Sequence, residues 1–437
     1  MKVLKLNLAT FTLILLALFS TDFAKDKSMD AIAEKYVKLV LNVGQYDEGY
    51  VDAYYGPEKW KPAELSENEK KNFPYKKLRS EAEGLLNALN NISDKGLSEI
   101  EKLRRQFLKD QVSAVIARIE MLNGKKMNFN EESKALYDAV APVHDKEYFE
   151  NQLKEINSLL PGDGSISERY DNFRKDLIIP KDKLDAVFTA AIQECRKRTL
   201  EHVKLPKGEN FKVEYVTDKP WGAYNWYKGN AFSLIQVNTE LPTYIDAPLG
   251  LASHEGYPGH HVYNALLEQD LSKGKGWVEF TVYPLYSPQS LIAEGSANFG
   301  VDMIFPDNER LQFEKTVLYP LAGLDTSKAA LYYKLRLLIN NLQYAMTEAA
   351  RGYLDGKFTK EETIDWLMKY NMQSRERAER SLRFIEHYRS YVINYTLGQD
   401  IIRNYVEKQG GTEDNPQKRW EIFIRILSTP QTPSGLR

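Results

Sequence analysis

Residues 254–261 constrain the fold more than any other stretch, because a Pro-Gly pair stands there between histidines. The stretch reads His-Glu-Gly-Tyr-Pro-Gly-His-His and holds three of the six histidines in the protein. Pro258 lacks a backbone N–H and its ring collides with the preceding helical turn, while Gly259 tolerates dihedral angles that other residues avoid. A regular helix therefore cannot run through this stretch without a widened turn or a break.

The side chains of this stretch are those that bind a metal ion. Imidazole nitrogens and carboxylate oxygens are ligands that zinc accepts. A His-Glu pair also opens the H-E-x-x-H helix of metallopeptidases, in which the histidine binds the metal and the glutamate handles the proton of the water. In that pattern the second histidine would stand at position 258, where this chain has Pro258. The chemistry therefore depends on how the chain turns at the Pro-Gly pair.

Helix geometry indicates which histidines could share one ion. On an unbroken helix His254 and His260 would point apart, by roughly 240° around the axis. His261 would face the same way as His254 but lie about 10.5 Å further along, too far for both to bind one ion. A widened turn, as in a π-bulge, would bring His260 toward His254. We predict His254 and His260 as ligands, with His261 as an alternative ligand or a supporting residue.

A third ligand is predicted further along the chain. Glu294 is a lone acid among the apolar and small residues 291–298. A catalytic zinc site has three protein ligands and an open position, and a buried carboxylate needs a partner such as a metal ion. Asn298 lies one helical turn on, where it could orient a ligand. We predict one zinc ion held by two histidines and Glu294; the alternatives are a Glu294 paired with Arg or Lys, and a metal-free histidine cluster.

The rest of the chain has mainly helical periodicity. Residues 25–206 are predicted to be helical, and 207–437 to carry a sheet and the metal-site helices. Alternation at 223–227 and 232–238 predicts a small antiparallel β-sheet directly before the histidine stretch. The predicted fold class is mainly α, a multi-helix zincin-like architecture with that sheet beside the active-site helix, in a single domain spanning 25–437.

Residues 1–24 have the pattern of a signal peptide. Lys2 and Lys5 precede an apolar run at 8–18 that is too short to span a bilayer, and Ala24 is a candidate cleavage point. We expect export to the periplasm or beyond, with no stable membrane insertion after cleavage; the alternative is an uncleaved anchor.

Composition narrows the partners further. The formal net charge of −2 gives no indication of nucleic acid or an anionic membrane as partner. The single cysteine, Cys195, excludes a disulfide within the chain and a cysteine metal site, and its apolar helical surroundings predict burial. The sequence does not indicate the oligomeric state.

The histidine stretch resembles the signature of the DUF885 proteins, helical bacterial proteins that are often exported. The resemblance covers most of the mature chain and includes 51–57, a strand at 229–238 that ends in Asn238, Glu294-Gly295, Arg383, and Asn394-Tyr395-Thr396-Leu397-Gly398. The chain departs from the family at Ser296, where Trp is common, and at Phe299, near a common Tyr. These departures concern the shape of the pocket rather than metal binding. The resemblance implies a zinc metallopeptidase.

A zinc metallopeptidase also needs a general base and a donor to the oxyanion, and the sequence offers a candidate for each. Glu255 is predicted to act as general base on the attacking water and then to pass the proton to the leaving amine. Tyr395 is a candidate donor to the tetrahedral oxyanion; the alternative is a Tyr that only packs.

Substrate contacts are predicted on both sides of the metal ligands. The strand at 232–238 could pair with an extended peptide, with Asn238 adding its amide. Arg383 or Arg389 could bind a substrate carboxylate bidentately, which would make the enzyme a carboxypeptidase; either could instead form a helix-face salt bridge. Two other functions stay open: a zinc amidase or esterase on non-peptide substrates, and a non-catalytic binding protein that keeps the fold.

Overall fold

The computed structural model describes residues 29–219, 221–306 and 308–437, and it is mainly helical there. The predicted signal peptide lies outside these residues. Within them, the structure has no helix whose length and apolar character would let it cross a membrane.

The N-terminal part is a set of helices whose starts are encoded locally. Ser98 and Glu101 form a capping box at the start of the longest of them, which satisfies N–H groups that have no partner in the first turn. Cys195, on the last of them, is fully buried as predicted. The helices are α1 (29–44), α2 (Glu67–Lys70), α3 (Tyr75–Asn90), α4 (Glu99–Leu122), α5 (Phe129–Tyr137), α6 (Lys146–Leu159), α7 (Ile166–Arg174) and α8 (Leu184–Leu200).

Two small sheets lie beside the helices. The predicted hairpin of β3 (Ala223–Tyr227) and β4 (Phe232–Asn238) is antiparallel, as expected. The strand β2 (Asn210–Val216) pairs with the other edge of β4 and runs parallel to it, a pairing that residue alternation did not reveal. In a second, two-stranded sheet β1 (Val51–Tyr54) is antiparallel to β5 (Val282–Pro284), so β1 lies beside the segment that leads into the Glu294 helix.

The remaining helices build the second part. Proline stands in the first turn of α9, α11 and α19, where its missing N–H costs nothing. They are α9 (Ala247–Leu251), α10 (His260–Leu267), α11 (Pro288–Ile304), α12 (Glu309–Phe313), α13 (Tyr319–Ala322), α14 (Ala329–Asn340), α15 (Tyr344–Leu354), α16 (Lys360–Tyr370), α17 (Arg375–Tyr388), α18 (Ile393–Lys408) and α19 (Pro416–Ser428).

Helices α11 and α18 touch backbone to backbone. A Cβ atom added to Gly295 would overlap the carbonyl group of Gly398, and one added to Gly398 would lie 2.7 Å from the carbonyl oxygen of Leu291. Only glycine permits so close an approach. The contact places the start of α18, and the turn before it, directly beside Glu294. One hydrophobic core, from Ile32 to Leu436, surrounds this pair of helices.

Candidate metal centre

The histidine stretch forms two helices joined by a tight turn. A π-helical segment covers Ala252–Gly256, and α10 begins at His260. The expected widened turn is therefore present, but it ends in a break instead of continuing as one helix. The N–H of Gly259 donates to the carbonyl of Ser253 at 2.9 Å. A Cβ at position 259 would overlap the carbonyl oxygen of His254, so glycine lets the chain fold back on itself here.

The fold-back brings the two imidazoles together, and Glu294 of α11 adds a third candidate ligand atom. His260 Nε2 lies 3.1 Å from His254 Nε2. Glu294 Oε2 lies 3.3 Å from the nitrogen of His254 and 3.6 Å from that of His260. Ligands at zinc bond lengths in a tetrahedral site are separated by roughly 3.3 Å, so the three atoms have the spacing of one face of such a site.

The surroundings of Glu294 fit a cation as well. Its Oε2 atom is buried and has no hydrogen-bond partner in the described part of the chain. A buried carboxylate oxygen without a partner is costly, and a metal ion between the three donors would remove that cost. The residues present therefore fit the predicted zinc ion.

Glu255 lies next to the same donors. One of its carboxylate oxygens is within 4.8 Å of the nitrogens of His254 and His260, which makes it a second candidate for third ligand. We favour Glu294, because its Oε2 atom lies 3.3 and 3.6 Å from the two nitrogens and has no hydrogen-bond partner among the described residues. Glu255 is then left beside the metal position with a free carboxylate.

Burial and the charges in this cluster shift the pKa values of His254, Glu294 and Glu255. Burial lowers the pKa of His254, but its contact with the Glu294 carboxylate and the charges of Glu255 and Glu294 outweigh it and raise that pKa to about 9. Burial raises the pKa of Glu294, but the two histidines outweigh it and hold that pKa well below its usual range. Burial raises the pKa of Glu255. The two carboxylates thus favour positive charge at the imidazoles, which a proton or a metal ion can supply.

Two further side chains orient the ligands. The Nδ1 atom of His254 lies 2.9 Å from Oδ1 of Asn298, whose amide nitrogen donates to the Tyr395 carbonyl at 3.0 Å. Because Oδ1 can only accept, Nδ1 carries the proton and Nε2 is free to bind a metal. The Tyr391 hydroxyl donates to Oε1 of Glu294 at 2.8 Å, which leaves Oε2 facing the histidines. Sequence reasoning missed Tyr391, although it stands one helical turn before Tyr395.

His261 lies away from the other two histidines. It is fully buried, with Nδ1 2.9 Å from Ser233 Oγ and Nε2 3.2 Å from Glu209 Oε2. Burial raises the pKa of Glu209, but hydrogen bonds from His261, Tyr257 and Arg196 outweigh it and lower that pKa to about 2. His261 therefore joins β4 to α10, and the alternative in which it binds the metal has no support from its position.

Some of the residues predicted to contact substrate line the cavity, and others do not. Tyr395 lines the cavity that contains the metal centre. Asn238 does not; its amide donates to the carbonyls of Lys219 and Trp221 at 2.9 and 3.0 Å and so holds the loop before β3. Arg389 pairs with the buried Glu132 at 2.7 Å, outside the cavity wall.

Other arginines reach the cavity instead. Arg383 does not contribute to its wall, whereas Arg380, one helical turn earlier on α17, does. Arg310 and Arg336 are also in the wall. The sequence pointed to a residue of α17 whose side chain lies outside the cavity wall, because the direction of a side chain depends on how the helix packs.

The cavity is large enough for a peptide segment. Its volume is about 750 Å³, within the range of pockets that enclose small ligands. Its wall combines the candidate metal ligands and Glu255 with aromatic side chains, which are Trp221, Tyr224, Tyr263, Tyr283, Phe305, Tyr333, Phe384, Tyr388, Tyr391 and Tyr395.

Comparison with known proteins gives likeness at the level of fold. No protein-family model and no curated protein matches the chain, so the resemblance to DUF885 stays a prediction. A solved structure of a protein described as a lipoprotein, from Colwellia psychrerythraea, matches with a TM-score of 0.51 at 14% identity, over 83% of this chain and 68% of that one.

Two further solved structures match with lower scores. A lipoprotein of unknown function from Shewanella oneidensis has a TM-score of 0.44 at 16% identity, over 83% of this chain and 71% of that one. An M32 carboxypeptidase from Deinococcus radiodurans has a TM-score of 0.38 at 12% identity, over 94% and 92%. Of these three structures, the Colwellia protein has the score that indicates a shared fold.

Proposed function

We propose that the protein is a zinc-dependent hydrolase, and specifically a metallopeptidase. The observation that carries the proposal is the triangle formed by His254 Nε2, His260 Nε2 and Glu294 Oε2, with Glu255 beside it in a large cavity. A zinc ion held there would supply a Lewis acid that polarises the scissile carbonyl and lowers the pKa of water.

The protein's own residues supply the proton transfer and the orientation. Glu255 has the position of a general base that takes a proton from the attacking water and passes it to the leaving amine. Tyr395 lines the same cavity, and its hydroxyl is our candidate donor to the oxyanion. Asn298 and Tyr391 hold a histidine and a carboxylate in place, so the reacting groups need no rearrangement.

The cavity also supports a carboxypeptidase-like mode. Arg380 takes over the role first assigned to Arg383 or Arg389, because it lines the cavity and they do not. Its ion pair with the half-exposed Glu240, 3.3 Å long, is an exposed contact of the kind that exchanges readily. A substrate carboxylate could therefore replace Glu240 on the guanidinium.

A paired measurement of metal content and turnover tests the proposal. We expect about one zinc per chain and hydrolysis of short peptides by the wild type. Glu255→Gln should keep the metal and lose turnover by at least about 100-fold, because it removes the general base. Asp302→Asn is the matched control: Asp302 also lines the cavity, but its carboxylate pairs with Arg403 at 2.7 Å.

Each alternative function predicts a different result. A panel of peptides, small amides and esters separates a peptidase from an amidase or esterase, which would hydrolyse only the non-peptide members. A protein that binds zinc and peptides but hydrolyses nothing would be a binding protein. A protein that purifies without metal and gains no activity from added zinc would contradict the enzymatic proposal.

We also propose that the mature protein is exported, to the periplasm or to the outside of the cell. The pattern of residues 1–24 supports this. Comparison of the intact mass of the exported protein with that of the full chain tests it, and an unprocessed N-terminus would contradict it.

A further inference from the structure

Asp52 belongs to the wall of the metal-centre cavity, although it comes from the first strand of the fold. In the β1–β5 pair, Val51 opposes Pro284 and Ala53 opposes Tyr283, and the register shifts between Val51 and Ala53. Asp52 is thus the residue at an irregularity of the strand. Such bulges redirect a side chain and are frequent next to active sites.

The carboxylate of Asp52 is held by one neighbour and lacks a cation. The Tyr224 hydroxyl, from β3, donates to its Oδ1 atom. Across residues 29–219, 221–306 and 308–437, no Lys or Arg donates a hydrogen bond to it, and Lys228 acts on it through its charge alone. Two other acids in the cavity wall have such a partner: Asp246 lies 3.2 Å from Arg336, and Asp302 pairs with Arg403.

The carboxylate of Asp52 stands near the other acids of the cavity wall. Burial and the charges of Glu294 and Glu255 raise its pKa to about 7, and the charge of Lys228 lowers it only in part. Aromatic rings that attract cations stand beside it. Trp221 and Tyr224, 5.6 Å apart between ring centroids, line the same cavity.

We propose that Asp52 and Tyr224 form a subsite for an ammonium group of the substrate. The inference rests on the peptidase function proposed above and names its specificity: peptides that present a positively charged amine near the scissile bond. An ammonium group has three N–H donors, and the Asp52 carboxylate can accept one or two of these hydrogen bonds. The faces of the aromatic rings attract the positive charge of the group. The amine could be the α-amino group of the peptide or a lysine side chain.

Binding can be measured apart from turnover. The probes are trialanine and its N-acetyl form, and acetyl-Ala-Lys-Ala and its norleucine counterpart, titrated calorimetrically into zinc-loaded Glu255→Gln protein. In each pair, only one peptide carries the charge of interest. We expect the charged member of at least one pair to bind better, and Asp52→Asn added to this background to weaken it about 10- to 100-fold. Neutral peptides should change by less than about two-fold, because the amide keeps the shape of the side chain.

The two pairs distinguish the source of the amine. Selectivity confined to the trialanine pair assigns the subsite to the α-amino group, and selectivity confined to the lysine pair assigns it to a side chain. Asp302→Asn is the matched control, since it removes a carboxylate from the same cavity without touching Asp52. In each pair it should leave the ratio of the two peptides' affinities unchanged.

Contrary results are equally distinct. Equal weakening of charged and neutral peptides by Asp52→Asn would mean that Asp52 acts on the cavity's structure, and the proposal would be wrong. No selectivity in either pair, or no binding of any of the four peptides, would overturn it as well. If the Glu255→Gln protein binds selectively but the wild-type protein hydrolyses none of the peptides, the peptidase function is contradicted and the ammonium subsite stands.

Discussion

At the scale of single residues, the site depends on partners that hold the ligands. His254 has its tautomer set by Asn298, and Glu294 has one oxygen occupied by Tyr391. The residue types pointed to His254, Glu255 and Glu294 from sequence, because lone acids and histidines in apolar surroundings need a chemical reason. Tyr391 gave no such signal, since a tyrosine in an aromatic-rich chain is usually part of the core.

Removing the hydroxyl of Tyr391 should weaken metal binding. Tyr391→Phe frees Oε1 of Glu294, so the carboxylate can rotate away from the histidines. Loss of such a supporting hydrogen bond typically lowers metal affinity about 10- to 100-fold. Competition with a chromophoric chelator measures it. Tyr388→Phe, which alters another tyrosine of the cavity wall, is the control, and equal zinc affinities for the two variants would contradict the role of Tyr391.

At the scale of elements, close backbone contacts decide where the ligands lie. Gly259 permits the fold-back that joins the π-helical segment to α10, and Gly295 permits α11 to touch α18 at Gly398. The sequence indicated a break at Pro258-Gly259, because proline and glycine act locally. It could not indicate the pairing of Gly295 with Gly398, since these residues are distant in the chain and meet only through packing.

Adding one methyl group at the helix crossing should therefore destabilise the protein. Gly295→Ala places a Cβ atom against the Gly398 backbone, and the two helices must separate. Overpacking of this kind costs about 1–3 kcal/mol in free energy of unfolding. Denaturant titration measures the change. The control is Gly84→Ala, on the exposed face of α3, where no atom lies within 4 Å of the added methyl and the gain in helix propensity is about 1 kcal/mol. Equal effects of the two substitutions would contradict the tight crossing.

At the scale of the whole molecule, the N-terminal helices brace the segment before the Glu294 helix. Arg104 of α4 is fully buried and pairs with Glu279 at 2.6 Å, and with Asp30 at 2.8 Å. The periodicity of the sequence was sufficient to predict a mainly α fold from its helical stretches and the β3–β4 hairpin from its alternating ones. It did not predict that β1 would pair with β5 and bring Asp52 to the cavity, because strand pairing across so long a separation leaves no local pattern.

Breaking this buried ion pair should cost more than breaking an exposed one. Glu279→Gln removes a fully buried carboxylate from Arg104, which keeps its ion pair with Asp30. Because a hydrogen bond to a charged group contributes about 1.5–3 kcal/mol, we expect a loss of that order in the free energy of unfolding. Glu83→Gln removes one partner of Arg79 on the surface of α3, at 2.9 Å, and should cost less than about 1 kcal/mol. Thermal and denaturant unfolding compare the two variants, and similar losses would mean that Arg104 and Glu279 do not brace the fold.

The central claim is that His254, His260 and Glu294 hold one zinc ion. Crystals of zinc-loaded protein, measured on both sides of the zinc absorption edge, test it most directly. We predict one anomalous peak about 2.0–2.2 Å from His254 Nε2, His260 Nε2 and a Glu294 oxygen, with Glu255 outside bonding distance. A peak on His261 or Glu255 in place of these ligands, or no peak in zinc-saturated crystals, would contradict the account.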